Sequence, residues 1–230
     1  MCPVGGPIDR FTPMSPTDAA NATDDSRPMS TGDLAALYDD MAERYARWDW
    51  ANRLFSGPLR KRAFADASGR VLDVACGTGT NFRYLPATAQ IVGVDLSAEM
   101  VAAARAELDR LRRGGTVYRM DAQKLEFPDD SFDTVVSALS TCTFPDPVAA
   151  VGEMARVCRP DGRVLLLEHG RSDVELLGRL QDWRADAHYE AHGCRWTQEP
   201  LAHFEATDLT VVDHAESFLG MVTVIEARPA

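Results

Sequence analysis

The sequence predicts an α/β protein in which a mostly parallel β-sheet carries helices on both faces. Three observations support this fold class. Short apolar, often β-branched runs recur along the chain and are separated by Gly-containing turns or helical stretches. Helix candidates lie between several of these runs, an alternation that is typical of parallel sheets. The last two runs follow one another after a brief polar interval, which predicts an antiparallel final pair.

The predicted strands follow directly from these apolar runs. They cover residues 71–75, 91–94, 116–118, 134–138, 164–167, 209–212 and 219–225. Helices are predicted at residues 98–111 and 147–157. The Arg-Pro-Asp-Gly sequence at residues 159–162 is typical of a turn, so we expect it to end the second of these helices before the chain restarts as a strand.

A helical pattern also precedes the first strand. Apolar residues recur at spacings of three and four from Thr31 onward, with Thr31 and Asp33 as capping candidates. After the aromatic stretch at residues 48–50, a second short helix is expected at residues 60–64. The sequence therefore predicts two helices ahead of the sheet.

Length and composition predict one domain with a tail. With 230 residues, of which 45% are hydrophobic, the chain can bury one full core. Residues 1–31 are rich in Pro, Ser, Thr, Asp and Asn, so we expect a disordered N-terminal tail. Residues 32–230 are expected to form the domain, in which residues 32–66 contribute the N-terminal helices.

Charge and cysteine usage exclude several functions. The formal net charge of −11 argues against nucleic acid as a partner, because binding to phosphates requires clustered Lys and Arg. No apolar stretch approaches the roughly 20 residues that span a bilayer, and no secretory signal is visible, so we expect a cytoplasmic protein without integral membrane association. The five cysteines include no CxxC pair, and His192 and Cys194 lack a further ligand pair, so no metal site is predicted.

The most specific segment is residues 71–82, Val-Leu-Asp-Val-Ala-Cys-Gly-Thr-Gly-Thr-Asn-Phe, in which a strand runs into a glycine-rich turn. Gly77 and Gly79 allow a nucleoside-type cofactor to approach the main chain closely. A dinucleotide site normally continues to a third glycine, but Phe82 stands at that position. Asp73 can organise the turn and accept a hydrogen bond from a cationic amino group. S-adenosylmethionine (SAM) carries such a group, whereas NAD does not.

Two acidic residues follow the next two strands. Asp95 ends the second strand and can accept both ribose hydroxyls, and its alternative role is the N-cap of the next helix, for which Ser97 competes. Asp121 follows the third strand and can accept the adenine amine, with the Ala122 amide facing a ring nitrogen. The alternative for Asp121 is a turn residue that caps its own backbone. The spacing after the glycine turn favours the cofactor roles.

With these motifs, the chain from about Leu37 to its C-terminus resembles the class I SAM-dependent methyltransferases. Residues 38–45, 52–57 and 126–133 are similar to the ubiquinone and menaquinone C-methyltransferases. Residues 158–162 and 166–169, and Gly193-Cys194 before Glu199-Pro200, are similar to methyltransferase-like enzymes that methylate alkyl thiols. The two resemblances imply different acceptors.

The resemblance implies a Rossmann-like sheet of strand order 3-2-1-4-5-7-6, with strand seven antiparallel. It also implies a helical lid over the cofactor, formed by residues 32–66. The predicted cofactor-binding residues are Asp73, Gly77, Thr78, Gly79, Asp95, Leu96, Asp121, Ala122, Ser137 and, on the lid, Tyr38. Ser137 is included because the quinone enzymes have a serine after the fourth strand, where Ala138 stands here.

The function predicted is methyl transfer from SAM to a small-molecule acceptor, either quinone-precursor-like or thiol- or lipid-like. His169, near the carboxyl end of the fifth strand, is the candidate catalytic base, and the alternative is a structural histidine beside Glu168. Two other functions compete: a SAM-binding module without catalysis and a Rossmann-type NAD(P) oxidoreductase. The sequence indicates neither the acceptor atom nor the oligomeric state.

Overall fold

The computed structural model describes residues 29–230. The predicted tail, residues 1–31, lies outside the described residues apart from its last three positions. The described strands are β1 (Arg70–Val74), β2 (Gln90–Asp95), β3 (Gly115–Arg119), β4 (Phe132–Ala138), β5 (Cys158–His169), β6 (Leu209–Ser217) and β7 (Val222–Pro229). The helices are α1 (Thr31–Ala63), α2 (Ala98–Leu111), α3 (Pro147–Val157) and α4 (Glu175–His192).

The seven strands form one sheet of order β3-β2-β1-β4-β5-β7-β6. The strands pair in parallel, except that β7 is antiparallel to both β5 and β6. This arrangement confirms the predicted order and the antiparallel final pair. It also places the carboxyl ends of β1, β2, β4 and β5 at one edge of the sheet, the edge at which open α/β sheets bind ligands.

Side chains of the central strands alternate between two apolar clusters, one on each face of the sheet. In β1, Leu72 belongs to the cluster that contains Met154 of α3. Its neighbour Val71 belongs to the other cluster, together with Ala104 of α2 and Ala63 of α1. Because successive strand residues point to opposite faces, the predicted arrangement of helices on both faces is confirmed.

The boundaries of α2 and α3 were predicted correctly, whereas the helices before β1 were not. Helices α2 and α3 begin and end at the predicted residues. The two helices expected before β1 are one continuous helix of 33 residues, so that prediction was wrong. Its N-cap is Ser30, not Thr31, and the side chains and backbones of Ser30 and Asp33 form a capping box.

Three other features differ from prediction. The turn at 159–162 lies within β5, where pairing with β4 passes from Cys158 directly to Arg163. The final strand begins at Val222 rather than at residue 219, because Phe218 and Leu219 adopt positive φ angles in the hairpin turn. Helix α4 was not predicted. No helix within residues 29–230 combines the length and apolarity needed to cross a bilayer.

Candidate cofactor and active site

A cavity of about 650 Å³ opens at the carboxyl edge of the sheet, beside α1, which contributes lining residues from Leu34 to Arg60. Most of the predicted site residues line it: Tyr38, Gly77, Thr78, Asp95, Leu96, Asp121, Ala122 and His169. Asp73, Gly79 and Ser137 lie behind its wall. The structure therefore brings together, in one space, residues that follow four different strands.

The glycine turn after β1 has the backbone conformation that only glycine adopts readily. Gly77 and Gly79 have φ angles of 54° and 79°. A Cβ at Gly77 would meet no atom within 4 Å, whereas one at Gly79 would lie 2.6 Å from the buried Phe82 ring. A 3₁₀ helix of four residues, Thr80–Arg83, follows the turn. The segment thus lacks the long helix that receives a pyrophosphate in dinucleotide sites.

Behind the turn lies a buried polar network. The carboxylate of Asp73 is fully buried, and its Oδ1 accepts a hydrogen bond of 2.8 Å from Asn81 Nδ2. Asn81 Oδ1 in turn accepts from the Arg60 guanidinium of α1. Burial raises the pKa of Asp73 to about 7, and the Asn81 hydrogen bond and the Arg60 charge oppose this shift. Through Asn81, Asp73 is therefore connected to the segment after the glycine turn and to α1.

Asp95 lies at the end of β2 with its carboxylate fixed by backbone amides. Its Oδ2 accepts from the Gly77 amide at 2.8 Å and its Oδ1 from the Ser97 amide at 3.0 Å. Burial raises the pKa of Asp95, and these hydrogen bonds oppose the shift. The N-cap of α2 is Ser97, whose Oγ accepts from the Met100 amide. The capping role is thus taken by Ser97, and Asp95 faces the cavity.

Asp121 adopts the turn geometry that was the alternative to an adenine-binding role. Its Oδ1 accepts from the backbone amide of Gln123 at 2.9 Å and from the Gln123 side chain at 3.1 Å. This is a turn in which an Asp caps its own backbone. Asp121, Ala122 and Gln123 nevertheless line the cavity. A carboxylate oxygen has two lone pairs, so the turn bonds leave acceptor capacity for a ligand.

Ser137, near the end of β4, bonds a neighbouring strand and does not line the cavity. Ser137 is fully buried and donates to the Val74 carbonyl at 2.8 Å, and its Oγ also contacts Ser140 Oγ. Ser140, not Ser137, lines the cavity. The buried Glu168 carboxylate accepts from the backbone amides of Ser140 and Thr141 at 3.1 and 3.3 Å. Burial raises the pKa of Glu168, and the neighbouring His169 and these hydrogen bonds oppose the shift.

Helix α1 closes one side of the cavity. Tyr38 lines the cavity and donates its hydroxyl to the His192 carbonyl at 3.2 Å, at the end of α4. Burial raises the pKa of Tyr38, and the neighbouring Tyr45 reinforces the shift. Farther along α1, Asp49 accepts from Thr80 Oγ1 at 2.8 Å beside the glycine turn. Hydrogen bonds thus join α1 both to the end of α4 and to the segment beside the glycine turn.

A compact group of thiol and imidazole side chains occupies another part of the cavity wall. Cys194 Sγ lies 3.2 Å from Cys142 Sγ and 3.4 Å from His169 Nε2. Contacts with Cys142 and His169 lower the pKa of Cys194, whereas the contact with Cys194 and burial raise that of Cys142. Burial lowers the pKa of His169, but Cys194 and Glu168 outweigh burial, so that this pKa is raised.

The aromatic and polar residues after β5 divide between the cavity and the core. His192 and Cys194 line the cavity, but Tyr189 and Trp196 do not. Tyr189 is buried, and its hydroxyl accepts from the Met29 amide at 2.8 Å. The Trp196 ring stacks on His188, with centroids 4.2 Å apart. Of these four residues, only His192 and Cys194 therefore border the cavity.

Sequence reasoning missed Arg60, Asn81 and Cys142. The asparagine is part of the glycine segment, so its nearness to Asp73 offered a signal. No local signal marked Arg60, because its role in the site depends on a contact with Asn81, which is 21 positions away. Cys142 follows β4, but its pairing with Cys194 spans 52 positions.

The comparisons with known proteins define the family. Residues 72–166 match the methyltransferase domain family. The chain is 36% identical to a phosphatidylethanolamine N-methyltransferase from Cereibacter sphaeroides over 151 residues, which cover 62% of this chain and 74% of that relative. This chain belongs to the class I SAM-dependent methyltransferases.

Other relatives are named for a different methyl acceptor or for none. A ubiquinone/menaquinone biosynthesis C-methyltransferase from Cellvibrio japonicus is 36% identical over 163 residues, which cover 65% of this chain and 64% of the relative. A mitochondrial methyltransferase from Saccharomyces cerevisiae is 28% identical over 194 residues, or 76% of this chain. The matched region spans only 41% of the length of the yeast protein. The two bacterial relatives thus share a domain with this chain, and their names give different methyl acceptors.

Solved structures with this fold are equally varied. The [4+2]-cyclase SpnF has a TM-score of 0.70 at 18% identity, covering 87% of this chain and 97% of that one. A geranyl diphosphate C-methyltransferase from Streptomyces coelicolor, in complex with S-adenosyl-L-homocysteine, has a TM-score of 0.65 at 13% identity, covering 87% and 98%. At these identities the likeness concerns the fold alone.

The cofactor of this family is SAM, and the residues of the cavity fit its chemistry. The buried Asp73 Oδ2 has no hydrogen-bond partner within residues 29–230, although buried polar atoms are normally paired. Gly77 leaves open space beside the turn. The carboxylates of Asp95 and Asp121 suit hydroxyl and amine donors. SAM offers a cationic amine, two ribose hydroxyls and an adenine amine, so the hydrogen-bond donors of the cofactor match the carboxylate acceptors of the protein.

Proposed function

We propose that this protein transfers the methyl group of SAM to a small-molecule acceptor bound in the same cavity. The observation that carries the proposal is the shared cavity, in which Asp95 and Asp121 stand on the cofactor side and His169 stands at the end of β5. When bound, SAM supplies a methyl group on a positively charged sulfur, which is already a good leaving group. The protein's task is therefore to orient the acceptor and exclude water.

The cofactor roles proposed for single residues rest on their positions and chemistry. Asp95 is the acceptor for the ribose hydroxyls, and its two backbone hydrogen bonds keep its carboxylate oriented. Asp121 and Ala122 recognise the adenine edge. Asp73 holds the glycine turn through Asn81.

Leu96, Thr78 and Tyr38 complete the proposed cofactor site, because each lines the cavity beside one of these carboxylates or on α1. Gly77 and Gly79 shape the turn that lets the cofactor approach the backbone. Ser137 enters the proposal only as a support for β1, since its hydroxyl is bonded to the Val74 carbonyl. We propose Ser140 in its place at the cavity wall.

On the acceptor side, we assign water exclusion to α1 and a catalytic contact with the acceptor to His169. Residues 32–66 act as the lid of the domain formed by residues 32–230. The lid is tied down by the hydrogen bonds of Tyr38 to His192 and of Asp49 to Thr80. Good orientation of the reactants lowers the activation barrier by about 7 to 11 kcal/mol, so positioning by these contacts is a sufficient source of catalysis.

The acceptor class proposed is quinone-precursor-like or thiol- or lipid-like. The names of the relatives support this range, since they include a quinone C-methyltransferase and a phospholipid N-methyltransferase. The net charge of −11 speaks against a polyanionic acceptor.

A second candidate is a SAM-binding protein that does not transfer the methyl group. A dinucleotide oxidoreductase is disfavoured, because a four-residue 3₁₀ helix follows the glycine turn. The two remaining candidates differ in whether labelled methyl leaves SAM.

The test is a transfer assay with methyl-labelled SAM and three acceptor classes: quinol precursors, small alkyl thiols and phospholipid amines. We expect one class to take up label, and His169→Ala to lower kcat while SAM affinity stays unchanged. His214→Ala is the matched control, because His214 is exposed on β6 and lies outside the cavity lining. SAM binding with no label transferred to any class would support the non-catalytic candidate.

A further inference from the structure

We propose that Cys142, His169 and Cys194 form a binding site for a soft divalent metal ion such as Zn²⁺, with a free coordination position on the side of the cavity. Within residues 29–230, these three are the group whose donor atoms all lie within 4.8 Å of one another. Their chemistry suits such an ion, because thiolate sulfur and imidazole nitrogen are the preferred ligands of zinc in proteins.

The distances between donor atoms are close to those of a metal site. Cys194 Sγ lies 3.2 Å from Cys142 Sγ and 3.4 Å from His169 Nε2. Bonds of about 2.0 to 2.3 Å in a tetrahedron place ligand atoms roughly 3.5 to 4 Å apart. Cys194 Sγ therefore needs to move away from the other two donor atoms by only a few tenths of an ångström around an ion, and Cys142 Sγ and His169 Nε2 lie within 4.8 Å of one another.

Hydrogen bonds hold the three donor segments together. Cys142 lies in the turn after β4, His169 ends β5, and Cys194 follows α4. The Arg195 amide donates to the Cys142 carbonyl at 2.9 Å. Gln198 Nε2 donates to Thr141 Oγ1 at 2.9 Å and to the His169 carbonyl at 3.1 Å. The site is thus organised by the fold before any ion binds.

The number of ligands and their position indicate an open site. Structural zinc sites have four protein ligands, whereas sites with three keep a position for water or substrate. Cys142, His169 and Cys194 all line the cavity. The fourth position would hold a water molecule or a donor atom of the acceptor, and His169 would then act as a ligand.

The experiment measures metal binding by the full chain in reducing buffer, without SAM or acceptor, so that its outcome is independent of the proposed methyl transfer. Zn²⁺ is titrated against a chromophoric chelator, and Co²⁺ replaces it for visible spectroscopy. We expect one ion per chain with submicromolar affinity. We also expect the ligand-field and sulfur charge-transfer bands of tetrahedral Co²⁺ bound by thiolates.

Variants then locate the site. Cys142→Ser and Cys194→Ser are expected to lower affinity more than about a hundredfold, a larger loss than that from altering an outer contact. Cys158→Ser, at a buried cysteine outside the group, and Cys2→Ser are expected to retain wild-type binding. If a serine variant fails to fold by circular dichroism, the corresponding alanine variant replaces it.

Two results would overturn the site. One is the absence of submicromolar Zn²⁺ binding by the reduced wild-type protein, including the case in which Cys142 and Cys194 are isolated as a disulfide and take up no ion after reduction. The other is Zn²⁺ binding that survives in both Cys142→Ser and Cys194→Ser. The wild-type titration decides the first without any variant.

Discussion

Asp95 presents to the cavity a carboxylate that two backbone amides already hold in place. Little conformational entropy remains to be lost when a ligand donates to it, so its hydrogen bonds contribute efficiently to affinity. A hydrogen bond to a charged group is worth about 1.5 to 3 kcal/mol. Asp95 is therefore the residue at which a single substitution should affect cofactor binding most.

We predict that Asp95→Asn weakens SAM binding more than about tenfold, since 1.4 kcal/mol corresponds to a factor of ten. The variant keeps the size of the side chain and removes its charge. The dissociation constant is measured by isothermal titration calorimetry. Asp109→Asn, on the exposed side of α2, is the control that should not change it. Equal affinities for wild type and Asp95→Asn, with both folded, would refute the assignment.

Asp73 makes stability depend on pH. Its pKa is raised to about 7 in the folded protein, because burial outweighs the Asn81 hydrogen bond and the Arg60 charge from α1, while Asp95 of β2 adds to the rise. The folded state thus retains a proton that the unfolded chain has already lost above its ordinary pKa. Stability falls as pH rises toward 7 and levels off above it.

We predict that Asp73→Asn removes this dependence. From about pH 5.5 to pH 8, the free energy of unfolding of wild type should fall by about 2 kcal/mol more than that of the variant. Urea denaturation of the SAM-free proteins measures both. A difference between the two proteins that stays constant over this range would show that Asp73 keeps an ordinary pKa.

Site residues close to the end of a strand were easier to predict from the sequence than residues whose partners lie far away in the chain. Asp95 and Asp121 were predicted because Asp95 ends a strand and Asp121 lies two residues after one, and such positions meet at one edge of the sheet. Ser137 was predicted in the wall and lies behind it, because the last residues of a buried strand alternate between the faces of the sheet. The partners of Cys194 were missed, because Cys142 is 52 positions away and no local pattern joins the two.

At the scale of elements, the turn after β1 uses its two glycines differently. Both have positive φ, but a Cβ at Gly77 would enter open space and one at Gly79 would collide with the Phe82 ring. Gly79 therefore serves packing as well as backbone conformation. Gly77 serves conformation and access for a ligand.

We predict that Gly79→Ala is less stable than Gly77→Ala. An alanine in the left-handed region costs about 1 to 2 kcal/mol, and only Gly79→Ala adds the collision with Phe82. We expect Gly77→Ala to lose SAM affinity while it stays folded. Thermal denaturation and calorimetry compare the two, with Gly152→Ala in α3 as a control of roughly unchanged or increased stability. Equal melting temperatures for the two turn variants would contradict this division of roles.

The helices show where sequence patterns are insufficient. Helix α4 was missed because its N-cap, Val174, provides no side-chain hydrogen bond, and only Gly178 and Tyr189 are buried along it. Neither a cap nor an apolar stripe therefore marks it. Helix α1 was divided in two at its aromatic residues, but Asp49 within that stretch binds Thr80 and Arg83. These tertiary contacts support a helix that local propensity does not indicate.

The whole molecule combines a predictable scaffold with a less predictable acceptor space. The order and directions of the strands follow from alternating elements and from the family resemblance, and the cofactor side follows from strand ends. The acceptor side is built from α1, α4 and the segment after it, whose mutual contacts are long-range. The thiol and imidazole group of Cys142, His169 and Cys194 belongs to this second part.

The central claim is that the cavity binds SAM rather than a dinucleotide. Isothermal titration calorimetry of the wild-type protein with SAM and, separately, with NAD tests it directly. The account predicts saturable binding of one SAM per chain and no binding of NAD at the same concentrations. Binding of NAD without binding of SAM would contradict it.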